Sequence, residues 1–389
     1  MINRQAAKTL KQLARGFPIV TITGPRQSGK TTLAKHIFKH KPYVSLEDPD
    51  QMEFASTDPR GFLAKYPNGA VIDEAQRVPA LFSYLQGIVD EKNWPGLFVL
   101  TGSEQFGLIS KITQSLAGRV GLLQLLPFTL DELKSASVGT DDLSETLVKG
   151  FYPPIYDRTI SPSVWYANYV ATYVERDVRQ MININDLSTF QRFVRMSAAR
   201  TGQILNLSSL ANDCGITHNT AKAWLSVLEA SFLVFLLKPY HKNLGKRLIK
   251  SPKIYFYDTG LAAWLLGIND SHQMAVHPMR GPLFETLVVS EILKSQYNQG
   301  LRSNLFFWRD SIGNEIDILR EESNTITPIE VKSGQTVTKD FYTYLKKWLT
   351  DVGHESGQSY VVYGGQESFK RENVRILSWK NINKLTNRE

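Results

Sequence analysis

The run Gly24-Pro25-Arg26-Gln27-Ser28-Gly29-Lys30-Thr31 sets four residues between two glycines and follows the second with a lysine and a hydroxyl. That pattern suits phosphate binding. Glycines allow backbone turns closed to other residues, so the N–H groups of such a loop can converge on phosphate oxygens. A helix starting near Lys30 adds the positive end of its dipole. Lys30 then reaches the β- and γ-phosphates of a nucleoside triphosphate, and the Thr31 hydroxyl ligates Mg²⁺, with Thr32 next in the same binding segment.

Further along, Ala70-Val71-Ile72-Asp73-Glu74 is an apolar run ending in two carboxylates. Asp73 suits the hydration shell of the Mg²⁺, and Glu74 suits a base that takes a proton from the attacking water. Leu97 to Ser103 is a second apolar run, and it ends in hydroxyls. Thr101 or Ser103 can contact the γ-phosphate or the water; spacing does not choose between them. Gly118-Arg119 precedes another apolar run. An arginine there can reach a neighbouring subunit's nucleotide and neutralise transition-state charge, an effect worth ~10³–10⁵ in rate. The competing reading of Arg119 is an ordinary surface arginine.

These residues need a scaffold, and the hydrophobic pattern supplies one. Phe17–Thr23, Tyr43–Leu46, Ala70–Asp73, Leu97–Thr101 and Val120–Leu126 are apolar runs at α/β spacing, with helical patterns such as Leu81–Val89 between them. Continuous apolar strands separated by helices predict a buried parallel sheet. In such a sheet the Leu97 strand lies between the strand of the phosphate loop and the Asp-Glu strand. Ser135 to Asp142 reads as a linker, and Val164 to Ala199 as amphipathic, arginine-rich helix.

The second half has a different pattern. Leu207–Asp213 and His218–Ala230 read as helices around a turn at Cys214-Gly215-Ile216-Thr217, and Phe232–Leu237 and Lys253–Tyr257 as strands. That is a helix-turn-helix with a hairpin, hence a winged helix. Its second helix offers Asn219, Thr220 and Lys222 to a groove. The hairpin offers His241, Lys242, Lys246, Arg247 and Lys250, which suit phosphate contact without base choice. The competing reading is a packing module with solvated lysines.

After Gly281 the order is helix (Pro282–Gln296), strands (Leu305–Arg309, Glu315–Arg320, Pro328–Lys332), helix (Asp340–Leu349) and strand (Ser359–Tyr363). Side-chain alternation puts Asp317 opposite Ile316 and Ile318, and gives Glu330 and Lys332 a common face. With Glu285 on the preceding helix, these residues match the restriction-endonuclease-like, PD-(D/E)xK arrangement. It implies a second Mg²⁺ or a Mn²⁺ that activates water, with Lys332 positioning it. A degenerate centre kept for binding or regulation is the competing reading.

The 389 residues carry a net charge of +8 and one cysteine, Cys214. The length predicts two or three domains. The single cysteine excludes an intrachain disulfide and points to the cytoplasm. No run approaches the ~20 apolar residues of a membrane span, and Met1-Ile2-Asn3-Arg4-Gln5 does not open a secretory signal. The basic excess permits an acidic polymer as partner.

Together the phosphate loop, Val71 to Gln76, Leu100 to Ser103, Ser115 to Arg119, Tyr173 to Asp177 and Ile329 to Gly334 resemble the prokaryotic AAA+ ATPases with a C-terminal domain of unknown function. The resemblance spans nearly the whole chain. It implies an α/β P-loop sheet of AAA+ type (1–130), a linker and helical lid (131–202), a winged helix (203–272) and a nuclease-like α/β domain (273–389). It also implies ATP in place of GTP, and makes Arg176 a candidate for a second nucleotide-sensing arginine, against an ion pair with Glu175 or Asp177. The expected function is ATP hydrolysis coupled to nucleic acid, DNA before RNA, in a possible homo-oligomer completed by Arg119 in trans. The alternative is a nucleotide-gated switch that engages a protein partner, the nuclease-like fold being inert.

Overall fold

Five strands make a parallel sheet: β1 (Ile19–Thr23), β2 (Tyr43–Ser45), β3 (Val71–Asp73), β4 (Phe98–Gly102) and β5 (Val120–Gln124), in the order β2-β3-β4-β1-β5. Every residue of β1, β3 and β4 is buried, which is why these segments are apolar without alternation. Alternation sorts them to two faces. Ile19, Ile72 and Leu100 pack under the helices Pro49–Thr57, Pro59–Ala64 and Leu81–Lys92. Val20, Ile22, Val71, Val99 and Leu123 pack under Ala6–Gly16 and Lys30–Ile37. The pairs Ile22 with Thr101 and Ile72 with Leu100 put β4 between β1 and β3, as the sequence order implied. This computed structural model describes residues 2–103, 116–158, 160–178, 186–240, 250–322, 325–351, 358–371 and 373–386.

The chain forms two compact units. The first comprises residues 1–128, 230–232 and 296–301, and holds the parallel sheet. The second comprises 129–229, 233–295 and 302–389.

In the second unit, helix Leu130–Ser135 starts at a capping box between Thr129 and Glu132, and Asp142 caps the helix Leu143–Lys149. The segment read as one long helix is divided: Pro162–Tyr169 is α-helical, Val170–Val178 takes the wider π-helical turn, and Leu187–Ala198 is α-helical again. Along it, at four-residue spacing, Trp165 stacks on Tyr169, and Tyr169 packs at a tilt against Tyr173. Helix Leu207–Cys214 stops at Gly215, whose φ of 71° is the left-handed conformation that a helix end uses. Helix His218–Ala230 follows, and its Trp224 packs edge-on against Phe190 and Phe193.

Nine strands form the sheet of this unit: β6 (Gln203–Ile204), β7 (Val234–Pro239), β8 (Lys253–Phe256), β9 (Leu305–Arg309), β10 (Glu315–Glu322), β11 (Thr325–Lys332), β12 (Ser359–Tyr363), β13 (Phe369–Arg371) and β14 (Val374–Ser378). Their order is β13-β14-β12-β11-β10-β9-β7-β8-β6. The strands after the helix pair therefore run on into the C-terminal sheet: β7 lies parallel to β9, with Lys238 opposite Phe306. That junction brings β8 within reach of the carboxylates of β10. Among the described residues no helix is long and apolar enough to cross a membrane.

Candidate functional site

The phosphate loop leaves the carboxyl end of β1. A Cβ on Gly24 would stand 2.1 Å from the carbonyl oxygen of Leu125, so no other residue fits there without moving backbone. Gly29 has a φ of 92° and sits directly before the helix Lys30–Ile37. Behind the loop, the buried Arg4 donates to the Ser28 carbonyl at 2.7 Å and to the Leu126 carbonyl at 2.6 Å, tying the loop to the chain after β5. Ser28 is itself fully buried, and its hydroxyl has no hydrogen-bond partner among the described residues. Arg26 bonds Glu47 at 3.2 Å, Pro25 is buried, and Thr32 is exposed on the first helical turn.

Lys30 is only 6% exposed, and its Nζ donates to the carbonyls of Gly24 at 2.9 Å and Pro25 at 2.8 Å. Burial lowers its pKa to about 8, against the opposing pull of Glu74 and Asp73. A polyanion in the cradle would supply the charge this lysine lacks.

Asp73 ends β3 and collects three donors. The Thr31 hydroxyl reaches Oδ2 at 2.9 Å, the Tyr43 hydroxyl reaches the same oxygen at 2.7 Å, and the Thr101 hydroxyl bonds Oδ1. Tyr43 was not selected from sequence. Burial, and then its bond to Asp73, holds its phenol above the usual range. Glu74 has a φ of 54°, a left-handed conformation that costs a non-glycine residue ~1–3 kcal/mol. Its Oε2 accepts from Ser103 at 3.2 Å and from Gln76. Thus Lys30, Thr31, Asp73, Glu74, Thr101 and Ser103 meet at the carboxyl ends of three adjacent parallel strands, where open α/β sheets place their ligands. The orphaned Ser28 hydroxyl, the desolvated lysine and the oxygen donors Thr31 and Asp73 fit a nucleotide phosphate with Mg²⁺.

Arg119 takes a different partner. It forms a two-pronged pair with Asp90 on the helix Leu81–Lys92, one prong being Nη2 to Oδ2 at 2.8 Å, and its Nη1 bonds the Ala117 carbonyl at 3.0 Å. The pair is partly exposed, with side-chain exposures of 34% and 45%. The side chain of Arg176 lies outside the described residues, as do Ser115 and the hairpin residues His241, Lys242, Lys246 and Arg247. Of the expected nucleic-acid contacts, Asn219, Lys222 and Lys250 are exposed, and Thr220 is half-buried against Thr217.

The C-terminal carboxylates also converge. Ile318 pairs with Ile329, so Asp317 and Glu330 stand one step further along that ladder, beside a register shift between β9 and β10. Lys332 lies 2.9 Å from Glu330 and 3.8 Å from Asp317, and Asp317 accepts the Val331 N–H at 2.8 Å. Burial and the neighbouring Asp317 push the Glu330 carboxyl well up. For Asp317 burial acts in the same direction, but Lys332 and Lys253 outweigh it and hold its carboxyl low. Glu285 faces this group and bonds two residues that sequence reasoning missed, Lys253 at 2.8 Å and Tyr255. Lys253 also pairs with Glu315. The available signal was a lysine and a tyrosine alternating on one face of an otherwise apolar strand.

A family profile described as an AAA domain matches residues 16–134, which contain the parallel sheet and its loop. Two profiles described as domains of unknown function, DUF8612 and DUF4143, match residues 140–272 and 280–382. The chain is 31% identical over 370 residues to Uncharacterized protein Rv2008c of Mycobacterium tuberculosis, covering 94% of this chain and 81% of that protein. Uncharacterized protein Mb2031c of Mycobacterium bovis matches with the same identity and coverage. Among solved structures, the Walker-type ATPase PABY2304 of Pyrococcus abyssi aligns at 15% identity and a TM-score of 0.46, over 68% of this chain and 96% of that one. With the phosphate loop lying inside the AAA-domain match, and the identity to the mycobacterial proteins sustained over nearly the whole chain, this protein carries an AAA-type P-loop ATPase domain and belongs to one family with those two proteins.

Proposed function

We propose that this chain binds ATP with Mg²⁺ in the Gly24 to Thr32 segment and hydrolyses it, and that hydrolysis governs the engagement of nucleic acid by residues 203–389. The observation that carries the first part is the meeting of Lys30, Thr31, Asp73 and Glu74 at the end of one parallel sheet. Lys30 exchanges its bonds to the Gly24 and Pro25 carbonyls for phosphate oxygens. Thr31 and Asp73 hold the Mg²⁺, which neutralises phosphate charge. Glu74 accepts the proton of the attacking water, with Ser103 and Gln76 setting its orientation. Thr101 reads the state of the site through Asp73.

The remaining assignments belong to the same reading. The core spans 1–130, the lid 131–202, the winged helix 203–272 and the nuclease-like domain 273–389. The exposed Asn219 and Lys222 support a duplex contact made by the second helix of the pair. Arg119, once released by Asp90, serves a neighbouring copy in a homo-oligomer. Cys214, the one cysteine, is buried and free, which suits the reducing cytoplasm.

Phosphate release with and without single- and double-stranded DNA and RNA tests the coupling. Stimulation by DNA that collapses as salt rises supports it. A rate indifferent to every nucleic acid contradicts it and favours the second reading, a nucleotide-gated switch for a protein partner. The closed ion pairs around Glu285 and Glu315 are the observation in favour of that second reading.

A further inference from the structure

One carboxylate oxygen each from Glu285, Glu315 and Asp317 lie within 4.8 Å of one another, a grouping that a divalent cation could use. The group already has a cation in it. Lys253 rises from β8, with its side chain only 3% exposed, and its ammonium contacts Glu285 Oε1 at 2.8 Å and also Glu315 Oε1. Arg309 takes the other oxygen of Glu315 at 2.9 Å, and Lys332 holds Glu330. A divalent ion needs ionised oxygens at ~2.0–2.6 Å with no competing cation on them. Two of the three nearest carboxylates do not meet that condition, so the residues present do not fit a metal.

Side-chain cations already face these carboxylates. Glu285, Glu315, Asp317 and Glu330 face Lys253, Lys332 and Arg309. An ammonium fixed by two carboxylates and buried among them is also costly to remove, because its departure leaves unpaired charge in a dry place.

We propose that the Lys253 ammonium is the resident cation of the C-terminal centre, held between Glu285 and Glu315 in place of a divalent metal, so that the centre is metal-free. The inference rests on reading Glu285, Asp317, Glu330 and Lys332 as one nuclease-like centre. It takes that reading to an outcome: the fold keeps the carboxylates, and a lysine from β8 closes them. Metal-assisted cleavage by this centre is then absent, and its role is to fix β8, β10 and the helix that carries Glu285 to one another.

Mn²⁺ titrated into the full-length, nucleotide-free protein, with free ion followed by electron paramagnetic resonance, tests this. Wild type and Asp317→Asn should take up the same amount of Mn²⁺. Lys253→Met should gain one ion per chain at sub-millimolar concentration, and Lys253→Met/Asp317→Asn should lose it again. A wild-type Mn²⁺ site that disappears in Asp317→Asn overturns the inference, as does a folded Lys253→Met protein with no added ion. If Lys253→Met does not fold, the comparison of wild type with Asp317→Asn decides alone. ATP turnover measured on the same samples separates this outcome from the fate of the ATPase reading.

Discussion

The Thr101 hydroxyl, at the end of β4, donates to the Asp73 carboxylate at the end of β3. Two residues on, Ser103 donates to Glu74 at 3.2 Å. The two hydroxyls that sequence left as alternatives thus serve different carboxylates. Thr101→Val should lower kcat by ~10–100-fold, the loss of one bond to a charged group, while nucleotide affinity changes little. Thr101→Ser should restore most of the rate. Steady-state kinetics with nucleotide binding measured in parallel checks this; an equal loss in the Val and Ser variants would contradict the hydroxyl's role.

On the proposed reading Glu74 takes a proton from the attacking water and does not hold phosphate. Glu74→Gln should bind ATP about as well as wild type and turn it over ~10²–10⁴-fold more slowly. If Arg119 leaves Asp90 to act on a neighbour, mixing Glu74→Gln with Arg119→Ala protein should recover part of the rate. The absence of recovery at every mixing ratio counts against action in trans.

Lys30 gives a signed pH dependence. Its pKa lies near 8 in the free protein, against an ordinary value of 10.5. Phosphates favour the charged form, so ATP binding takes up a proton above pH 8. Affinity should be flat below that pH and should fall by up to ~10-fold per unit above it, until the pKa of the bound state is reached. The free protein shows the complementary effect. Its charged lysine costs stability below pH 8, and that cost is relieved as pH rises from 8 towards 10.5. Binding isotherms in buffers of different ionisation enthalpy report the proton; no uptake at pH 9 would contradict the assignment.

Gly24→Ala tests the cradle without touching a charge. The added Cβ meets the Leu125 carbonyl at 2.1 Å, so the loop or β5 must move. Nucleotide affinity should fall at least tenfold with only a modest loss of thermal stability. Unchanged affinity would mean that the backbone at Gly24 is not part of the site.

How much of this was legible in the sequence follows the range of the signals. The phosphate loop, Asp73 and Glu74 are contiguous, and the apolar runs around them fixed the positions of β1, β3 and β4 to within about two residues. Thr101 could be placed because a buried parallel sheet constrains strand order. Tyr43 could not: it is an exposed residue at the start of a three-residue strand, and only the pairing of Ser45 with Asp73 aligns that strand with the site. Lys253, Tyr255 and Glu315 were missed because their meeting depends on β7 joining β9, a pairing about 70 residues apart that leaves no local pattern. Asp90 became a partner of Arg119 for a similar reason, through the packing of a helix against the sheet.

The most direct test of the central claim is phosphate release from Mg²⁺-ATP by the purified protein and by Lys30→Ala. The structure predicts measurable release by wild type and a rate at background for the variant, since Lys30 is the cation that the loop buries at its base. Equal release by the two proteins would contradict the assignment of this loop as the site of ATP hydrolysis.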